Sequence, residues 1–343
     1  MGKLKVLELF GGIGACSKAL ERLGIDYEIA DYVEIDKYAV KSFNAMRGTN
    51  FEPQDICTWD KDIDVDLIMH GSPCQDFSVA GKNAGGDEGS GTRSSLMYET
   101  IRIVEKLKPK YVIWENVKNV ISKKHRHNFD NYLNKMEELG YKNYWQVLNA
   151  KDYGIPQNRE RVFTISIRDN GDYKFPSKQE LKLKLKDMLE DEVDEKYYLS
   201  DSMINYLENG KYNSAKVKCN DSMGVVINTY SEYVNKKYNN FQSKNGYIPE
   251  LFNPYNEKEI KDIAPTQTAQ GDSITKSSTI LKKENLRIRK LTPKECWRLM
   301  GFDDSDFEKV EKICSNTQLY KQAGNSIVVN VLVAILNNLL KQY

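Results

Sequence analysis

The sequence predicts an α/β fold, a doubly wound and mostly parallel sheet, with a smaller, irregular second domain. Three observations carry that expectation. Over the first 170 residues, short apolar runs alternate with amphipathic stretches, the rhythm of βαβ units. From about Asn170 the rhythm gives way to text rich in Asn, Tyr, Lys and Ser, punctuated by Asn209-Gly210 and Asn245-Gly246. After Arg289 the apolar pattern returns. A chain of 343 residues has room for two such domains.

Strands are expected at LKVLELF, YEIADYV, VDLIMHG, YVIWENV and RVFTISI, and helices over 15–23, 36–46, 95–106 and 129–139. The stretch 182–195 alternates Leu with Lys and then turns acidic, which suggests a partly exposed connecting helix or a solvated linker. A last helix, from about 325 to 340, should pack back on the first domain. Asn330, Asn337 and Asn338 interrupt its apolar run, so a packed helix is expected there and no membrane span.

Hydrophobic residues make up 40% and charged residues 29%, the range of a globular protein. The net charge of +1 argues against coating nucleic acid through bulk charge, so any such contact must be local. Six cysteines without a CxxC pair, and only three histidines, give no reason to expect a metal. The N-terminus shows no secretory signal, and Val6 stands where a myristoylation signal wants Ser or Thr, so a cytoplasmic protein with reduced thiols is expected.

Phe10-Gly11-Gly12-Ile13-Gly14 closes the first strand and opens the first helix, where glycines let a ligand approach backbone N–H groups. A nucleotide-like cofactor fits there, as other ligands do in other folds. Glu34 ends the second strand, where a carboxylate would meet a ribose hydroxyl pair, and Asp36 is suited to capping. Gly71-Ser72-Pro73-Cys74-Gln75-Asp76-Phe77-Ser78 follows the third strand. A cysteine at the carboxyl edge of a parallel sheet lies where substrates bind, and the proline stiffens its turn. A lone cysteine is more often a small core residue. Glu115 at the end of the next strand changes that balance, because buried acids are rare unless they are paired.

In this order the residues resemble the motifs of the cytosine-5 DNA methyltransferase family, bacterial or phage type. Phe10 to Gly14 is similar to the first cofactor motif, Glu34 to the ribose-contacting acid, and Asp55-Ile56 to the adenine-side pair. Pro73-Cys74-Gln75 resembles the catalytic motif, Glu115-Asn116-Val117 the acid motif, and Gln157-Asn158-Arg159-Glu160-Arg161 the arginine motif. Arg289 to Cys296 and Gln322-Ala323-Gly324-Asn325-Ser326 resemble the last two. The likeness covers nearly all of the chain outside about 170–286. Ile35 departs from the aromatic residue that often follows the ribose acid in relatives.

The resemblance implies a sheet of the S-adenosylmethionine-dependent methyltransferase type and transfer of a methyl group from S-adenosylmethionine to carbon 5 of a flipped-out cytosine. Cys74 would form the covalent adduct, Glu115 would serve as the acid, Arg161 would hold the ring and Arg159 would support the pair. Phe10, Gly12, Gly14, Glu34, Asp55, Ile56, Pro73, Leu96 and Asn325 would contact the cofactor, and no metal is implied. Gln75, Ser78, Thr266 and Thr268 would contact DNA, and the glycine-rich stretch 81–91 would close over it rather than stay a plain surface loop. Residues 1–171 would form the catalytic and cofactor-binding domain and 172–286 the target-recognition domain. Residues 287–343 would carry the final motifs back to the catalytic domain. The implied partner is double-stranded DNA, with a separate cognate restriction endonuclease and a monomeric chain. A tRNA cytosine-5 methyltransferase of the same fold is the alternative, although that branch usually has Cys-Phe-Thr and a short middle region. This chain has Gly301-Phe302-Asp303 and a long one. Asn253-Pro254-Tyr255 only partly matches the amino-methyltransferase motif and is expected to be a turn.

Overall fold

The computed structural model describes residues 2–73, 89–169, 171–198, 222–269, 279–284 and 287–341. Strands β1 (Leu4–Leu9), β2 (Tyr27–Val33), β3 (Leu67–His70), β4 (Tyr111–Val117), β5 (Tyr141–Asn149) and β7 (Glu160–Arg168) form a six-stranded sheet in the order β2-β1-β3-β4-β7-β5. The pairs among β1 to β4 are parallel, and β7 runs antiparallel to both β4 and β5. The order reverses at β1 and β3, so a crevice opens beyond their carboxyl ends, where ligands bind in sheets of this kind.

Alternating side chains divide the sheet between two cores, as the pleat requires. Leu4, Val6, Leu67, Met69, Ile113 and Ile165 face one core, shared with α1 (Ala15–Leu23) and the C-terminal helices. Leu9, Ile68, Val112, Trp114 and Val162 face the other, covered by α3 (Met97–Leu107) and α4 (Arg126–Glu138). Between β2 and β3, α2 (Lys37–Arg47) lays Val40 and Phe43 against Tyr32. Asp36 caps α2 by accepting from the N–H of Tyr38 at 2.9 Å, as expected.

The middle of the chain holds regular structure that its turn-rich text conceals. Helix α5 (Ser222–Asn245) packs Val234, Tyr238 and Phe241 on Phe252 of β8 (Leu251–Asn253) and Leu281 of β11 (Leu281–Glu284). With β9 (Lys258–Glu259) and β12 (Arg287–Lys290) these strands form an antiparallel sheet in the order β12-β11-β8-β9. Asn253-Pro254-Tyr255 is the turn of the β8–β9 hairpin, where Asn253 Oδ1 accepts from the N–H of Asn256 at 3.1 Å.

Two expectations are corrected. Residues 182–195 form no continuous helix: only the short 3-10 turns Leu185–Met188 and Glu195–Tyr197 are present. Leu185 and Met188 are buried in the main core, and the Leu185 N–H donates to the carbonyl of Asp262, so tertiary contacts claim this backbone. The helix expected over 325–340 is α9 (Val329–Leu339), and Asn325 instead ends α8 (Asn316–Asn325). Between them the chain is extended at Ser326 and Val328. The stretch 316–339 is apolar enough to cross a membrane by composition, but it is mostly buried inside the protein.

The C-terminal elements lock onto the first helix. Lys18 of α1 lies 2.6 Å from Asp303 and 2.8 Å from Asp306 at the start of α7 (Asp304–Val310), and Arg22 donates to Asn330 of α9. Ahead of them, α6 (Pro293–Arg298) starts with a capping box: the Glu295 N–H donates to Thr292 Oγ1, and Glu295 accepts from the Thr292 N–H at 2.7 Å. The same carboxylate takes two bonds from the fully buried Arg289, at 2.8 and 2.9 Å. Removing one partner leaves the other charge buried, so Glu295→Ala should cost about 3 kcal/mol or more in chemical denaturation. A loss near the size of a helix cap alone, about 1 kcal/mol, would show that Arg289 finds other compensation.

Candidate active site

The glycine turn after β1 has a backbone that side chains resist. Phe10, Gly12 and Gly14 all have positive φ, 51°, 54° and 75°. The Gly12 N–H donates to Glu34 Oε2 at 3.0 Å, and Glu34 Oε1 accepts from the Asp36 N–H at 2.8 Å. Burial pushes the Glu34 carboxyl up, against the pull of the Asp36 and Gly12 N–H groups. Each oxygen keeps a second lone pair, a pair of acceptors suited to two adjacent hydroxyls. A Cβ on Gly12 would project into open space, so the turn leaves room for a ligand. Ile35, beside the carboxylate, is 68% exposed.

Asp55 and Ile56 reach this place through Gln54, whose N–H donates to the carbonyl of Glu34 at 2.9 Å. Asp55 is exposed and holds its own turn, while Ile56 is buried in the core beneath α3. The loop is pinned by buried Asp31, which accepts from Gln54 Nε2 at 3.0 Å and Trp59 Nε1 at 2.7 Å and pairs with Lys61. Leu96, just before α3, and Phe10 both pack on that same core.

Glu115 and Arg161 come together. The antiparallel register sets Glu115 opposite Phe163 and Val117 opposite Arg161, so the acid and the guanidinium are diagonal neighbours on one face. Arg161 Nε is 3.0 Å from Glu115 Oε1. Burial raises the Glu115 carboxyl above the usual carboxylate range, and Arg161 and Arg159 act in the opposite direction. Glu115 Oε2 lies 3.7 Å from where a Cβ on Gly71 would stand, so it faces the segment leaving β3. That segment runs through Pro73. Cys74, Gln75, Ser78 and most of 81–91 lie outside the described residues.

Arg159 is placed differently from Arg161. Its guanidinium donates to the carbonyls of Gln267 at 2.6 Å, Gly324 at 3.0 Å and Ser326 at 2.8 Å. Asn325, exposed at the end of α8, is thereby held by bonds on both sides of it. Farther back on the helix, Lys321 reaches Asp36, and Gln322 Nε2 donates to the carbonyl of Tyr38 at 3.0 Å. Helix α8 thus links the arginine strand to the Glu34 side of the crevice. Thr266 and Thr268 sit at this junction too. Thr266 lies just past β10 (Ala264–Pro265), which pairs with β6 (Gln157–Asn158), and its Oγ1 donates to the carbonyl of Asn158. The backbone of Thr268 lies against Gly324 so closely that a Cβ there would fall 2.1 Å from a Thr268 backbone atom.

The sequence profile of C-5 cytosine-specific DNA methylases matches residues 4–341. The chain belongs to that family. As a member it is a DNA cytosine-5 methyltransferase. It is 40% identical to the type II methyltransferase M2.ScrFI of Lactococcus lactis subsp. cremoris, over 81% of this chain and 67% of that protein. It is 34% identical to the type II methyltransferase M.HhaI of Haemophilus parahaemolyticus, over 98% and 94% of the two chains. Among solved structures, the Entamoeba histolytica methyltransferase EhMeth superposes with a TM-score of 0.72 at 17% identity, covering 100% of this chain and 99% of that one. A variant of Spodoptera frugiperda DNMT2 superposes at 0.69 and 21%, covering 98% and 100%. At such identities the two structures attest the fold.

In this methylase the exit from β3 rests on Trp114 and His70, to which sequence reasoning gave no role, and on Ser72 and Asn116, which it quoted only as parts of motifs. Trp114 Nε1 donates to Ser72 Oγ at 2.9 Å, and Asn116 Nδ2 donates to the Ser72 carbonyl at 3.3 Å. His70 is fully buried, stacks on Trp114, and shares hydrogen bonds with Tyr132 at 3.0 Å and Thr100 at 3.4 Å. Burial pushes its pKa down from 6.5 to about 3, so the ring stays neutral in the fold. The unfolded chain takes up this proton first, and the stabilisation is therefore complete above about pH 6.5 and is lost as pH falls toward 3. The group should steepen acid destabilisation of the wild type by up to about 1.4 kcal/mol per pH unit in that window, relative to His70→Gln. Parallel stability–pH curves for the two proteins would show that His70 accepts its proton within the fold.

Proposed function

We propose that the chain transfers a methyl group from S-adenosylmethionine to carbon 5 of a cytosine rotated out of a specific duplex DNA sequence, with Cys74 as the nucleophile. The observation that supports this best is the buried Glu115–Arg161 pair at the carboxyl edge of β4, facing the segment that leads into Cys74. When bound, S-adenosylmethionine supplies a methyl group on a sulfonium. Glu34 and the turn from Phe10 to Gly14 would hold it, with Asp55, Ile56, Pro73, Leu96 and Asn325 completing the pocket.

Carbon 5 of cytosine is a weak nucleophile. Addition of the Cys74 thiolate to carbon 6 turns the ring into an enamine that can take up the methyl group. Glu115, whose carboxyl burial pushes up, donates to ring nitrogen 3 as negative charge develops, and Arg161 holds the ring carbonyl. Carbon 5 then loses its proton as the sulfur of Cys74 leaves. A stacked base cannot reach this pocket, so the target must leave the duplex.

The region 172–286 is proposed to read the DNA, with Gln75, Ser78, Thr266 and Thr268 as contacts. Part of it serves the rest of the protein, since Tyr173, Leu185 and Met188 belong to the main core. We place the reaction in a bacterial cytoplasm, by a monomer that uses no metal, with a separate restriction endonuclease as cognate partner. The tRNA reading is not favoured, because the matched profile is that of DNA methylases and the curated relatives are type II and orphan methyltransferases.

Duplex DNA carrying 5-fluorocytosine at the target should trap the wild-type protein in a denaturation-resistant adduct, because fluorine does not leave as a proton does. Cys74→Ala should bind S-adenosylmethionine and form no adduct. A wild type that methylates DNA yet is never trapped would rule out addition by Cys74. Glu115→Gln should lower kcat by about 100-fold or more while leaving DNA affinity nearly unchanged. Equal losses in both would reduce Glu115 to a base-holding group.

A further inference from the structure

Three successive carbonyls of the glycine turn are gripped from behind. Tyr32 OH donates to the Gly12 carbonyl at 2.5 Å, while Arg47 donates through Nη1 to Ile13 at 3.4 Å and through Nη2 to Gly14 at 2.7 Å. Both side chains are fixed in their turn. The Arg47 side chain is only 6% exposed, lies 4.6 Å over the ring of Phe43 and has Nε 3.6 Å from Glu21 Oε1. Phe43 stacks on Tyr32 with ring centroids 3.9 Å apart. The fit is close, since a Cβ on Gly14 would come within 2.6 Å of Phe43 and 2.9 Å of Arg47 Cζ.

A trans peptide is planar, with its N–H opposed to its carbonyl. Carbonyls drawn toward Tyr32 and Arg47 therefore send the N–H groups of Ile13 and Ala15 the other way. The turn needs such support, because its positive φ values, above all that of Phe10, are conformations an unsupported chain leaves readily.

We infer that Arg47, assisted by Tyr32, is a positioning residue for the cofactor: it sets the peptide planes of the turn without touching the ligand. The inference rests on the reading of Phe10 to Gly14 as the S-adenosylmethionine site. A competing role is plain charge compensation, because Arg47 also faces Glu21 and the buried Glu8, whose carboxyl burial pushes up and Arg47 pulls down. Glu8 in turn accepts from the N–H and hydroxyl of Ser17. A lysine would keep the charge and lose the fork that spans two carbonyls.

Titration calorimetry with S-adenosylmethionine and S-adenosylhomocysteine separates the two roles. Arg47→Met and Arg47→Lys should both weaken binding by about tenfold, the size of one or two lost hydrogen bonds, and Tyr32→Phe by a few-fold. The KM for S-adenosylmethionine should rise in step, with smaller changes in kcat at saturating cofactor and in the KM for DNA. Full rescue by lysine would assign Arg47 to charge compensation and overturn the inference. So would unchanged affinity in folded variants. Should both Arg47 variants be insoluble, Tyr32→Phe decides, since it keeps the ring stack and removes only the hydroxyl. A wild type that binds neither ligand would instead refute the cofactor reading of the turn.

Discussion

The guanidinium of Arg159 carries the architecture of the crevice. Three backbone carbonyls from two remote segments converge on one planar cation, two from the end of α8 and one from Gln267, just past β10. A rigid fork of donors suits such convergence, whereas a lysine would offer one mobile point charge. Beside it, Gln157 accepts from the Gln267 N–H at 3.0 Å and donates to the Leu299 carbonyl at 2.7 Å. Elements that could dock in several ways are thereby held in one arrangement around the Glu115–Arg161 pair.

The same constraint joins the two halves of the crevice. Glu34 and the glycine turn stand beyond β1 and β2, while Glu115 lies near the carboxyl end of β4, and the sheet alone would leave them as separate sites. Helix α8 spans the gap. Its last turn makes both ties: Lys321 and Gln322 reach Asp36 and Tyr38 beside Glu34, and the carbonyl of Gly324 is held by Arg159. In the proposed reaction a methyl donor and a base must meet within a few tenths of an ångström, which a shared rigid helix serves better than two loops.

Much of this was legible in the text of the chain. The apolar runs of β1 to β4 and β7 announce themselves. Strand β5 was missed because it is an edge strand whose Lys142, Trp145 and Gln146 face solvent, which breaks the apolar signal. Helix α5 hid among Asn, Lys and Tyr residues that read equally well as turns. Leu and Lys alternate along 182–186, and tertiary contacts decide that segment. At the candidate site, resemblance pointed to Glu115 and Arg161, and the antiparallel register brings them together. Arg47 and Tyr32 were invisible by nature. From sequence, one is a basic residue closing a helix and the other an aromatic in a strand, and only the fold turns both toward the same three carbonyls.

The crossing of Gly324 over the backbone of Thr268 and Ala269 bears on how the middle region could be traded between relatives. No side chain fits between these two backbones, so the contact requires glycine at 324 and, on the facing side, depends on the path of the backbone at Thr268 and Ala269. A transplanted segment could differ along α5, β8 and β9 and still join cleanly, provided the splice lies before Gln267, the resident chain supplies the crossing, and the new helix and hairpin fit the resident β11. Cutting beyond that point would exchange one half of a fitted joint and leave the other half behind.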